Sequence, residues 1–309
     1  MRKRLFSKLA IVMSTAIAVS GCFCPIDKAF VNAETIQDED DSYYDDSTDD
    51  SYDDSTDDSY DDSTDDSDNE ETTGTKIDDV KLSSSELQAF VKESDSDENG
   101  YISQSEAEKI TYVSISKKAS QSDLTQIIKL YPNISELMWN AGTLTKLTFP
   151  KNNIKRLNIT SKAASQLVIS GINQKLNNLS YTAQGSKKYA FNFAKGSAYK
   201  KVEDFNLMGK QINGVKLSNA EVGTLYVTDT SAKKIDASSD KIINLWVQNN
   251  KKLSSFTVRN CSKLKSVSCG YNALSRLNIS GCPKLLSVSC DRNKLTKLDI
   301  SKYKNLKNA

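Results

Sequence analysis

Near the end of the chain the same pattern of side chains returns with a period of about 21 residues, which few folds can use. Leu264, Val267, Cys269, Asn272, Leu274, Leu277, Ile279 and Cys282 fall on Leu285, Val288, Cys290, Asn293, Leu295, Leu298, Ile300 and Tyr303. One step earlier the same subtraction lands on Ile243, Trp246, Gln248, Lys251, Leu253, Phe256, Val258 and Cys261, where only Gln248 and Lys251 break the pattern. Upstream, apolar residues recur as L-x-x-L-x-L from Ile134 through Leu137 and Trp139, Leu157 and Ile159, and, past a looser stretch around 171–203, Val202 and Phe205. A unit this short cannot bury its own apolar residues, but stacked units can, each short strand pairing in parallel with its neighbour about 4.8 Å away. Residues 133–309 are therefore predicted to form a solenoid of coils of about 21 residues, with two short parallel strands per coil.

The inward positions follow from the alternation of a strand, and so do the outward ones. Asn272 and Asn293 fall at a turn, where a buried amide can satisfy backbone groups of the adjacent coil. The strand leading into that turn presents a candidate ligand face of Tyr226, Ser266, Ser268, Tyr271, Ser287, Ser289 and Arg292. The same phase also places Leu245 and Val247 outward. Cys261 and Cys282 share one ladder position and Cys269 and Cys290 another; nearly parallel Cα–Cβ directions on neighbouring strands suit small buried side chains better than disulfides.

Ahead of the repeats, residues 82–132 read as a small helical cap. Ser83 and Glu86 form a capping-box pattern for a helix with Leu87, Phe90 and Val91 on one face. That helix runs into an EF-hand-like loop. Asp95, Asp97 and Asn99 take the first, third and fifth ligand positions and Gly100 the sharp turn; Tyr101 offers its carbonyl, Ser103 the water-mediated position and Glu106 the bidentate carboxylate. The donor set is all oxygen, so Ca2+ is the expected cofactor, and with no second loop its affinity is expected in the weak range of roughly 0.1–1 mM. A strand at 111–116 and an amphipathic helix capped by Ser122 and stopped by Pro132 complete the cap.

The N-terminal residues carry no fold signal. Residues 1–33 combine Arg2, Lys3, Arg4 and Lys8 with a short apolar run, which reads as an export signal. Cleavage has two readings, after Ala33 or at a lipobox ending in Cys22, where lipidation would tether the chain to a membrane. Residues 34–81 contain an eight-residue Asp/Ser/Thr/Tyr unit repeated three times from Asp45 and form an expected disordered acidic stalk.

Charge divides the chain. Residues 34–80 hold about 22 acidic side chains and one lysine, whereas residues 107–309 hold about 33 basic and 11 acidic ones. Such a body attracts anionic cell-wall polymer or acidic polysaccharide. Nucleic acid is not expected as a partner, because the lysines are spread around the coils and no basic-aromatic motif on a nucleic-acid fold accompanies them. There is no histidine, which removes the commonest general base and the Ser-His and Cys-His nucleophile pairs, so no enzymatic activity is expected. The rival reading is a calcium-dependent polysaccharide lyase on a β-helix, which needs acids and bases clustered on adjacent coils; a structural envelope role is the third.

The repeat, with its L-x-x-L-x-L/C-x-x-N-x-L units over about 222–309, resembles the leucine-rich repeats of internalin-like extracellular proteins of Gram-positive bacteria. Members of that group are similar in carrying a single EF-hand or dockerin-like loop before the repeats, here residues 95–106. The resemblance implies a secreted or surface-attached, monomeric binding protein of the adhesion type, with a protein or an anionic polysaccharide as partner.

Overall fold

The computed structural model describes residues 73–217 and 220–307. The export signal, Cys22 and the acidic repeat lie outside the described residues. The first described element lies inside the segment expected to be a stalk, a two-residue strand, β1 (Thr75–Lys76). The helix α1 (Ser85–Ser94) follows, then β2 (Tyr101–Ile102), α2 (Gln104–Lys109), β3 (Tyr112–Ser114) and α3 (Gln121–Leu130).

The caps of these helices correct two assignments. Ser84, not Ser83, caps α1 by accepting the Leu87 N–H, and Ser120, not Ser122, caps α3 in a reciprocal box with Asp123. Ser83 has another task. Its N–H and hydroxyl both donate to the buried Asp123 carboxylate at 2.6 Å, tying the segment before α1 to the start of α3. Burial raises the Asp123 carboxyl, but the hydrogen bonds from Ser83 and Ser120 outweigh it and hold the group below its ordinary value.

Beyond α3 the described residues wind into a parallel β-solenoid of eight coils, each with a strand on a first wall and, in all but the last, one on a second. The first four coils are β4 (Glu136–Gly142) with β5 (Lys146–Thr148), β6 (Arg156–Ser161) with β7 (Val168–Ser170), β8 (Leu176–Ala183) with β9 (Tyr189–Asn192), and β10 (Lys201–Met208) with β11 (Ile212–Lys216). The rest are β12 (Glu221–Thr228) with β13 (Lys234–Asp236), β14 (Asn244–Gln248) with β15 (Ser255–Arg259), β16 (Ser266–Ser268) with β17 (Arg276–Ser280), and β18 (Ser287–Ser289). The first wall is one parallel sheet of nine strands, running from β3 in the cap through the even-numbered strands to β18. The second wall comprises the pair β5–β7 and a five-stranded sheet from β9 to β17.

The core is a column between the walls. Leu137, Leu157, Leu179, Phe205, Leu225, Leu245, Val267 and Val288 stack in one in-register ladder of the first wall, all at most 2% exposed. A fully buried side chain of this size contributes about 1.5–3 kcal/mol, realised only when a neighbouring coil covers it. That same ladder shows that the period is not constant. The spacing between successive members runs from 20 to 22, except for one step of 26 between Leu179 and Phe205.

The step between Leu245 and Val267 is 22, and this overturns the predicted phase of the coil at 243–250. Leu245 and Val247 are fully buried, whereas Trp246 stands on the outer face. A one-residue slip along a strand exchanges its two faces, so the fixed subtraction of 21 assigned this strand inside out. The two apparent breaks in the repeat vanish with it. Asn250, fully buried, takes the place of the expected Lys251 and aligns with Asn272.

These asparagines form a ladder at the corner that leaves the first wall. Asn250 accepts from the Thr230 N–H at 3.0 Å and donates to the Val227 carbonyl at 2.9 Å. Asn272 accepts from the Asn250 N–H at 2.8 Å and donates to Val247 and Cys269; Asn293 accepts from the Leu274 N–H at 3.0 Å and donates to Cys269 and Cys290. Each side chain thus satisfies backbone groups that a tight turn leaves unpaired inside the column.

Candidate functional site

Two regions assemble the residues singled out by sequence: the acidic loop in the cap and the outer face of the first wall. In the loop, α1 delivers Asp95 and α2 delivers Glu106, while Glu98 and Gly100, at φ of 60° and 85°, turn the chain between them. Asp95, Asp97 and Glu106 each bring a carboxylate oxygen within 4.8 Å of the others. The Gly100 N–H donates to Asp95 at 2.8 Å, and the Ser103 hydroxyl donates to Glu106 at 2.9 Å. Asn99 donates its amide to Asp97 at 3.0 Å, and Tyr101 enters β2.

Electrostatics differ sharply within this loop. Burial raises the Glu106 carboxyl, but hydrogen bonds from Ser96 and Ser103 prevail and hold it at about 2. For Asp97 the Asn99 N–H lowers the carboxyl, yet burial and the facing Asp95 and Glu106 charges outweigh it and raise the group. Three converging carboxylates make an all-oxygen donor set of the type that hard divalent cations take. The loop also gains a strand partner that sequence reading did not find: β1 pairs antiparallel with β2, Thr75 opposite Ile102 and Lys76 opposite Tyr101.

On the first wall, in-register pairing converts outward side chains into rows that cross the strands. The central row runs Ser180, Asn206, Tyr226, Trp246, Ser268, Ser289; a second runs Asn178, Asp204, Thr224, Asn244, Ser266, Ser287. A third runs Asn140, Thr160, Thr182, Met208, Thr228, Gln248. Toward the cap, the first two rows continue through Asn158 to Met138 and through Arg156 to Glu136, the last two ion-paired at 3.5 Å. Tyr226 and Trp246 stack with ring centroids 6.1 Å apart and an interplanar angle of 18°.

Of the seven predicted face residues, Tyr226, Ser266, Ser287 and Ser289 lie in these rows with accessible side chains. Ser268 lies in register but is 8% exposed, covered by the Gln248 amide that donates to it at 2.7 Å. Tyr271 and Arg292 are at the adjoining corner, both with left-handed backbone, and the Arg292 guanidinium lies 4.9 Å from the centre of the Tyr271 ring. The sequence reading missed Trp246, Asn206, Asn244 and Met208. Allowing the period to vary by one residue, with an asparagine anchored at each corner, finds the Trp246 strand.

The four described cysteines carry free thiols. Cys261 accepts from the Ser239 N–H at 3.5 Å and donates to the Ala237 carbonyl at 3.1 Å, an inter-coil role like that of the asparagines. Burial pushes the Cys269 thiol up to about 12, far from a reactive thiolate. No helix among the described residues is long and apolar enough to cross a membrane. Comparison of the chain with protein-family models, with curated proteins and with solved structures returns no match.

Proposed function

We propose that this chain is an exported, non-catalytic binding protein: a leucine-rich-repeat solenoid that recognises an extracellular polymer or protein with the outer face of its first wall, behind an EF-hand-like cap that takes one calcium ion. The observation that carries the reading is that face, where polar and aromatic side chains stand in continuous cross-strand rows over the apolar column. Rows of this kind form a broad surface for recognition and hold no histidine to serve as a general base. The leucine-rich assignment draws further support from the asparagine that bonds inter-coil backbone groups at successive corners. Calcium is supported by the convergence of Asp95, Asp97 and Glu106, with Asn99, Tyr101 and Ser103 as the remaining donors of the loop. Bound there, the ion would lock β2 and both flanking helices and so stiffen the entry to the solenoid. Export rests on the basic and apolar character of residues 1–33.

Calorimetric titration tests the calcium assignment: the protein should show one binding event with Kd of roughly 0.1–1 mM, and Asp95→Ala should abolish it. Binding left unchanged in that variant would remove the loop from the proposal. Catalysis is tested separately by incubating the protein with polygalacturonate and calcium, where accumulation of unsaturated product would replace the binding reading with a lyase. Mass spectrometry of the secreted form decides between a free N-terminus at Glu34 and a lipidated Cys22.

A further inference from the structure

Resting on the reading of the first wall as a recognition face, we infer that its ligand is an uncharged linear polysaccharide that lies across the strands, parallel to the solenoid axis.

Charge is the first argument. Lysine accounts for about one residue in seven of residues 107–309, yet none stands in the three outward rows of the first wall. The charges in those rows are Glu136 and Arg156, which pair with each other, and Asp204. Lys201 stands opposite Glu221 at the rim where the strands enter. The outer face of the second wall is different: Lys146, Lys216, Lys234, Arg259 and Arg276 are all exposed there. A polyanion would be drawn to the second wall, because in the rows of the first wall it would meet only one cation, Arg156, already paired with Glu136, and the like charge of Asp204.

The uncharged polar groups of the first wall share one capacity. Asn178, Asn206, Asn244 and Gln248 are amides, and Ser180 and Thr224 are hydroxyls, so every one of them both donates and accepts. A sugar hydroxyl has the same dual capacity. Neighbours within a row hold these side chains in place across adjacent strands, with Asn206 donating to Ser180 at 3.3 Å and Asn244 to Thr224 at 3.4 Å. Each amide keeps further hydrogen-bonding capacity beyond these long contacts, so the face is ordered in advance and not saturated.

Period is the third argument. Parallel in-register strands repeat a row once every 4.8 Å or so, which matches the length of one pyranose unit in an extended chain. A polymer with that repeat meets a similar polar group on every coil, whereas a folded protein partner has no such period. In mid-face, Tyr226 and Trp246, stacked on each other and half-buried, supply the apolar surface beside which the C–H groups of a sugar can pack. A protein interface of ordinary size needs a larger apolar centre. Among the described residues the exposed large hydrophobics are Met138, Met208 and Tyr271, too dispersed to form one.

The test is affinity electrophoresis of the whole chain, with calcium, in gels containing xylan, glucomannan, mixed-linkage β-glucan, dextran or polygalacturonate. At least one uncharged polymer should retard the protein, equally at low and high salt, and Trp246→Ala should weaken that retardation about tenfold, as loss of one central anchor does. Asn206→Ala, which leaves the aromatic pair intact, should weaken it several-fold, and far-UV circular dichroism should show both variants folded. Retardation by none of the uncharged polymers overturns the inference, as does retardation by polygalacturonate alone that disappears in salt. A protein partner whose capture depends on Trp246 would sink the glycan while leaving the recognition face standing; capture of any partner indifferent to Trp246 and Asn206 would sink both.

Discussion

Between Leu179 and Phe205 one turn of the solenoid advances the chain by 26, whereas each turn from Phe205 to Val288 advances it by 20 to 22, and the two regions fill and close their coils by different means. The wide turn is packed with rings: Tyr181, Phe191, Phe193, Tyr199 and Phe205 are all fully buried or nearly so and meet edge-on or tilted at 4.7–6.1 Å. Its corners are closed by the longer amides of Gln166, bonded to both backbone groups of Asn192, and of Gln211, which bridges Gly185 and Ala163. The turns from Leu225 to Val288 are filled mainly by aliphatic side chains, with Phe256 as their buried ring, and their corners are closed by Asn250, Asn272 and Asn293. Side-chain reach follows coil girth. The extra residues are absorbed by the segment with β9 and the 3-10 turn Ser197–Tyr199, so the first wall keeps its register from β8 to β10 without a break. The outer face of the first wall is thereby insulated from this irregularity elsewhere in the coil.

If rings fill the wide turn because nothing smaller can, Phe205→Ala should be the most damaging change, costing about 3–5 kcal/mol in chemical denaturation. A cost as small as that of a surface substitution would show that the wide turn is loosely packed and break the contrast. Asn272→Ala comes next. It strands the Asn250 N–H and the Val247 and Cys269 carbonyls at a half-buried corner, for about 2 kcal/mol, and hydrogen exchange should rise in both adjoining coils.

The cap sharpens the comparison, because there a charged group does the work of the corner amides. Asp123→Asn should cost about 1–2 kcal/mol near neutral pH. The folded Asp123 carboxyl lies below its ordinary value of 3.8, so its contribution is complete above that value and is lost as pH falls through the folded one. The gap in melting temperature between native protein and variant should therefore close on acidification, and a gap independent of pH would mean that the hydrogen bonds do not require the charge. Trp246→Ala, on the outer face, should alter stability least, by about 1 kcal/mol or less, although it is predicted to have the largest effect on ligand retention.

Sequence alone determined that the chain stacks. Aliphatic residues repeated at short spacing must be covered by copies of themselves, and the loop from Asp95 to Glu106 announced its turn and its three clustered carboxylates through residue type and order. Which face of a strand points outward was legible wherever apolar and polar residues alternate, as in β12, where Leu225 and Val227 are buried between more accessible neighbours. Only the tertiary structure decided the strand at Leu245–Trp246–Val247, because three consecutive apolar residues satisfy either phase. Contact with the coils on each side settles it, pressing the two aliphatic side chains into the column and leaving the indole beside Tyr226.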